Sequence, residues 1–215
     1  MLKDAQLREA LQAIAPTTWE GTVFRCVKSV SVEDVTGALR NLMKDGRYSR
    51  EGTFRALYLS LSPELAKKEY LQSPNPDEVR GATCLGLPLR MERVLDLTGE
   101  EVQERLGTSL QELTGDWQVL TGRGQDAPTQ RLGRAAFESG RFDAVLSPSK
   151  LDPEGTNLLV LVDRVGGRLA ATDLPAGFPE RLEVQGRGPS SQPAPAQTPR
   201  PQLGCTKRRM VPDAM

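Results

Sequence analysis

No histidine occurs anywhere in the 215 residues. That absence removes Ser–His and Cys–His nucleophilic pairs, histidine general bases and histidine metal sites together. Any catalysis must run on carboxylates, arginines, hydroxyls and backbone groups. Cysteine is scarce: Cys26, Cys84 and Cys205 have no metal-like spacing, and an odd count suits a reducing compartment better than a disulfide framework. There is no apolar run of about 18 residues, so no membrane-spanning helix is expected. Met1 to Gln6 does not lead into a signal-peptide core, and the expected location is the cytoplasm. Net charge is lacking too, with 28 basic against 28 acidic residues. The balance is uneven: beyond Gly186 five cations (Arg187, Arg200, Lys207, Arg208, Arg209) face one acid, Asp213. The tail is therefore basic and the body acidic, which argues against direct nucleic-acid binding, where a basic face is the rule.

What is present suits a globular protein: 38% apolar and 26% charged residues. The length allows one domain of about 150–190 residues plus an appendage. The division expected is an N-terminal helix over residues 1–17, a domain over 18–185 and a tail over 186–215. In the tail Pro189, Pro193, Pro195, Pro199 and Pro201 lie among Ser, Gln, Ala and Thr. Such a segment cannot bury enough surface to offset ordering and reads as disordered.

Leu7, Ala10, Leu11 and Ile14 form one stripe of a helix over residues 3–14. Thr22 to Val27 alternates as a strand, with Arg25 either a snorkelling edge residue or a cation aimed into a site. A helical piece is expected over Val35 to Met43. Residues 81–89 read as a strand with a Gly/Pro break, and 90–97 as another. Thr98 with Glu101, and Thr108 with Gln111, read as capping boxes for two short helices. Trp117 reads as a core or loop anchor. A helix from Pro128 stops at Gly140, and Gly133 weakens it by up to about 1 kcal/mol. Phe142 to Leu146 is a short buried strand. Asn157 to Val162 is a central strand covered on both faces, and Arg168 to Thr172 a last one after Gly166-Gly167.

The stretch from Asp45 to Tyr70 carries most of the chemical signal. Arg47 and Tyr48 sit in a loop between Gly46 and Gly52, ahead of the strand Ala56 to Leu59. Ser62-Pro63-Glu64 opens a helix with N-cap, first-position proline and an acid in the first turn. Leu65, Ala66 and Glu69 share one helical face, so the side turned to the sheet carries a carboxylate. That charge either reaches solvent, pairs with an arginine, or is used.

These pieces resemble the RES domain family. The resemblance rests on Gly46-Arg47-Tyr48, the strand Leu57-Tyr58-Leu59-Ser60 and a helix ending Ala66-x-x-Glu69. It extends to Trp19-Glu20-Gly21 with Phe24-Arg25, Pro128-Thr129-Gln130-x-Leu132-Gly133, Phe142 to Ser149, and Gly155-Thr156-Asn157-Leu158. It covers residues 18–165. The loop departs from the family's usual Gly-Gly-Arg-Trp-Asn, having Asp45-Gly46-Arg47-Tyr48-Ser49, and Lys150 replaces a small residue after Ser149.

The resemblance implies an α+β fold like that of ADP-ribosyltransferases, with a mixed, bent sheet and flanking helices in one domain. It implies consumption of NAD as substrate, without a metal, by cleavage of the nicotinamide–ribose bond. The acceptor is water (glycohydrolase), phosphate, or a protein side chain (transferase). By this reading Arg25 and Arg47 take phosphates, while Tyr48 and Tyr58 stack or hydrogen-bond in a cleft. Glu69 stabilises an oxocarbenium-like state and Ser149 orients nicotinamide or ribose, Ser147 pointing the other way. The implied setting is a toxin–antitoxin system with a helix-turn-helix (Xre-type) antitoxin, a homodimer being one arrangement. The alternative is a catalytically weak relative that binds a nucleotide or a partner.

Overall fold

The apolar stripe near the N-terminus becomes α1 (Asp4–Ala13), with Leu7 and Leu11 fully buried. The computed structural model describes residues 1–28, 44–72, 82–165 and 182–184. The expected helix at 35–43, strand at 168–172, tail and Cys205 lie outside them.

Following α1 come β1 (Thr17–Lys28), β2 (Ala56–Ser60), α2 (Pro63–Leu71) and β3 (Ala82–Asp96). Three short helices follow: α3 (Glu100–Arg105), α4 (Leu110–Thr114) and α5 (Trp117–Gly122). The chain continues through α6 (Pro128–Ser139), β4 (Ala144–Pro148), β5 (Thr156–Leu161), α7 (Val162–Val165) and β6 (Leu182–Val184). The strands run in the order β1-β2-β5-β4-β3-β6, and β1 also pairs with β3. Five strands thus close on themselves, with β6 added beside β3. Among the described residues only β3–β4 is parallel; the other ladders are antiparallel. The result is one α+β domain with a mixed, strongly bent sheet. Among the described residues no helix is long and apolar enough to cross a membrane.

Closure explains the sequence of β5. Leu158 and Val160 point into a cluster with residues from all five strands, including Val23, Leu57, Met91 and Ala144. Leu159 and Leu161 point outward, into a second cluster with Leu7 and Leu11 of α1 and Leu132 and Ala136 of α6. With apolar cover on both faces, the strand reads as a continuous apolar run.

The structure corrects several expectations. The two strands expected over 81–97 are one strand, β3. Pro88 does not interrupt it, because among the described residues β3 has a ladder partner at that point on one side only, Thr22 of β1. Thr98 does not cap α3: its hydroxyl donates to Asp96 Oδ1 at 2.6 Å, and Gly99 takes the N-cap position. At α4 the cap falls one residue later than expected, on Ser109, which accepts from Glu112 N. The three cysteines were expected not to form a disulfide framework. Cys26 and Cys84 instead lie directly opposite each other on β1 and β3 and are joined as a disulfide.

Candidate active site

Two local devices hold the loop that carries Arg47 and Tyr48. The first is Gln130, buried in the first turn of α6. Its amide nitrogen donates to Gly46 O at 3.0 Å, while its amide oxygen accepts from Ala127 N and Thr121 Oγ1. The second is Tyr58 on β2, whose hydroxyl accepts from Tyr48 N at 2.9 Å and lies 3.1 Å from Ser49 Oγ. Both devices need missing side chains. A Cβ on Gly46 would fall 2.5 Å from Tyr58 Oη, and one on Gly133 would fall 1.9 Å from Tyr48 O. The glycine that looks like a flaw in α6 is the point where the loop crosses the helix.

Beside this loop opens a cleft of about 360 Å³, lined by Arg25, Arg47, Tyr48, Tyr58, Glu69 and Trp117 among others. Its size is in the range of small-molecule sites. Arg25 donates to Tyr58 O at 2.9 Å, and desolvation by burial pulls its guanidinium below the ordinary value. Arg47 donates through one nitrogen to Leu113 O at 2.9 Å and Gly115 O at 2.7 Å. Among the described residues neither arginine has a carboxylate partner. Both present a guanidinium to the cleft with donors to spare, as an anionic ligand requires.

Glu69 stands in the last turn of α2, and here the expectation needs correcting. Leu65 and Ala66 face the sheet and are buried, but Glu69 is exposed at the mouth of the cleft. The last turn opens onto the cavity, so its carboxylate carries no core desolvation cost, and among the described residues it has no arginine partner. It is held by neutral donors: Asn157 Nδ2 at 2.8 Å and Ser149 Oγ at 3.3 Å, both to Oε1.

The expected roles of the two serines change. Ser147 does not point away but lines the cleft. Ser149, buried, reaches Glu69 from behind and also accepts from Leu151 N at 3.0 Å. Tyr48 is corrected as well. It is only 1% exposed, so it offers no ring face for stacking. Its phenol oxygen is shut off from solvent with no hydrogen bond among the described residues, and burial pushes it up to about 12. Ser147 lies near enough to oppose that shift, without hydrogen-bond geometry. Burial also pushes Tyr58 up to about 12, its bonds to the loop opposing the shift.

The structure therefore brings Arg25, Arg47, Tyr48, Tyr58 and Glu69 to one cleft, with Ser149 touching it through Glu69. Sequence reasoning missed two residues there. Trp117, read as a structural anchor, lines the cleft just beyond the carbonyls gripped by Arg47. Asn157, second in β5, is level with Ser60 of β2 and Ser147 of β4, and the three form a polar row across the floor. An amide at the start of an otherwise apolar central strand was the available signal. Among the described residues no group of three or more acidic or cysteine side chains could hold a metal ion.

A model of the RES domain matches residues 22–177. Among solved structures, the chain aligns with the toxin in the crystal structure of the M. tuberculosis MbcT–MbcA toxin–antitoxin complex. The TM-score is 0.56 and the identity 20%, over 84% of this chain and 92% of that one. That likeness supports the closed, mixed fold. No curated protein matches the sequence.

Proposed function

From the premise that this chain belongs to the RES domain family, we propose that it is the toxin of a toxin–antitoxin pair and consumes NAD by breaking its nicotinamide–ribose bond. One observation carries the reading: among the described residues, two guanidiniums without carboxylate partners and one carboxylate without a cationic partner share a single cleft. A ligand with a pyrophosphate at one end and a developing cation at the other satisfies both.

In this reading Arg25 and Arg47 meet the pyrophosphate oxygens through their planar forks. The C–N bond between ribose and nicotinamide breaks with its electron pair moving to the ring nitrogen, which neutralises the pyridinium. The ribose is left oxocarbenium-like, and the Glu69 carboxylate stabilises that charge. Water, phosphate or a protein hydroxyl then adds to the anomeric carbon and loses its proton. Ser147 Oγ at the floor offers a hydroxyl to the leaving carboxamide. NAD enters as substrate, with no metal assigned to the reaction. The proposed setting is the cytoplasm, with a helix-turn-helix antitoxin as partner and a homodimer as one form of the complex.

A second reading, nucleotide or partner binding with little turnover, draws on the exposure of Glu69, since solvent weakens a charge–charge effect. One experiment separates the two. Purified protein is incubated with NAD, with and without phosphate, and products are identified by mass; Glu69→Gln is run beside it. Turnover falling by about 10²–10³ in the variant, with NAD binding retained, is expected. Binding without turnover in the unaltered protein would leave the second reading.

A further inference from the structure

We infer that Asn157 is a positioning residue that decides which oxygen of Glu69 faces the ligand; this rests on the NAD-cleaving reading of the cleft. The direction of its bonds is forced. A carboxylate only accepts, so the Asn157 nitrogen must face Glu69 Oε1, where it stands at 2.8 Å. The amide oxygen then faces Ser60, and Ser60 Oγ must donate to it, at 2.9 Å. Ser60 is buried and lies opposite Asn157 in the β2–β5 ladder, so the amide cannot rotate without breaking a bond in the sheet interior. Ser149 adds a second donor to the same Oε1.

Both donors fall on one oxygen. Among the described residues Oε2 accepts nothing, so that oxygen keeps its acceptor capacity for a ligand. The arrangement converts a mobile side chain on a helix end into a carboxylate of fixed orientation, supported by a strand paired on both sides. Neutral donors suit the task. An arginine at this position would hold Glu69 as firmly but would oppose a positive charge on the ribose.

The test uses full-length protein and steady-state NAD turnover across pH. Asn157→Ala should lower kcat by about tenfold to a hundredfold, the range in which supporting partners act, with KM nearly unchanged. Asn157→Asp is the more discriminating variant. It sets a second carboxylate against Glu69, and two such groups cannot both ionise freely. The acid limb of the kcat profile should therefore move to higher pH, a readout that a packing role would not move. Ser60→Ala should reproduce a smaller version of the Asn157→Ala loss. Unchanged kcat in Asn157→Ala, or an unshifted acid limb in a folded Asn157→Asp protein, overturns the inference. If Glu69→Gln in the same series keeps full turnover, the failure lies instead with Glu69 as the charge-stabilising group.

Discussion

Replacing Gly133 by alanine inverts an ordinary expectation. In a helix interior that change adds about 1 kcal/mol through propensity. Here the new Cβ would stand 1.9 Å from Tyr48 O, 2.8 Å from Tyr48 C and 2.9 Å from Tyr48 Cβ. Real Cβ contacts stay beyond 3.0 Å, so α6 and the loop must part by the difference between 1.9 and 3.0 Å. What must move is backbone, and it is tied on both sides, by Gln130 to Gly46 O and by Tyr58 Oη to Tyr48 N. Overpacking costs about 1–3 kcal/mol and each weakened hydrogen bond about 1 more. The net loss after the propensity gain is about 2–4 kcal/mol, or a fall in Tm of roughly 5–15 °C for a domain of this size. Gly122→Ala is the control: Gly122 ends α5 and a Cβ there meets nothing within 4 Å. Thermal melts of the two variants measure the contrast, and an unchanged or raised Tm for Gly133→Ala would show that the loop does not cross α6 there.

Tyr48→Phe removes a buried phenol that has no hydrogen bond among the described residues; it should raise stability by about 1 kcal/mol, and a lowered Tm would show that the hydroxyl has a protein partner. Alkaline stability gives a second check. Burial moves both Tyr48 and Tyr58 from 10.0 up to about 12. Between those values the unfolded chain holds fewer protons than the folded one, so stability falls as pH rises, by about 1.4 kcal/mol per unit for each tyrosine. Urea midpoints from pH 9 to 11.5 should show this, with a shallower slope for Tyr58→Phe. Glu69→Gln should change Tm little, because the exposed carboxylate keeps an acceptor for its two neutral donors; a loss beyond about 1–2 kcal/mol would point to a structural charge.

The parts of the fold that were legible in the sequence are those fixed by neighbours along the chain. Ser62 accepts from Leu65 N, and Pro63 follows it as the first residue of α2. Gly140 ends α6 in the left-handed region, at φ 67°. The motif Pro128 to Gly133 was legible as a pattern, but its reason was not: Gln130 and Gly133 act on a loop some 80 residues earlier in the chain. Thr98 misled because Asp96, two residues back, competes for its hydroxyl. Glu69 misled because helical spacing gives a direction without saying where the sheet ends. Asn157 was missed and Ser147 misdirected because their meaning is set by the register of three strands.

The loop from Gly46 to Ser49 has a consequence for the thermodynamics of binding. Gly46 N bonds to Ser49 O at 2.9 Å, Gly46 O is taken by Gln130, and Tyr48 N by Tyr58. A segment so tied has little conformational freedom left to surrender when a ligand arrives. Its ordering cost is met during folding, so affinity is not reduced by it. The same rigidity narrows choice. A ligand whose charges are spaced differently from the two guanidiniums and the carboxylate cannot be accommodated by a shift of this loop alone. A relative that acquired a different substrate would have to change α6 and the loop together, at Gln130 and Gly133 as well as at Arg47.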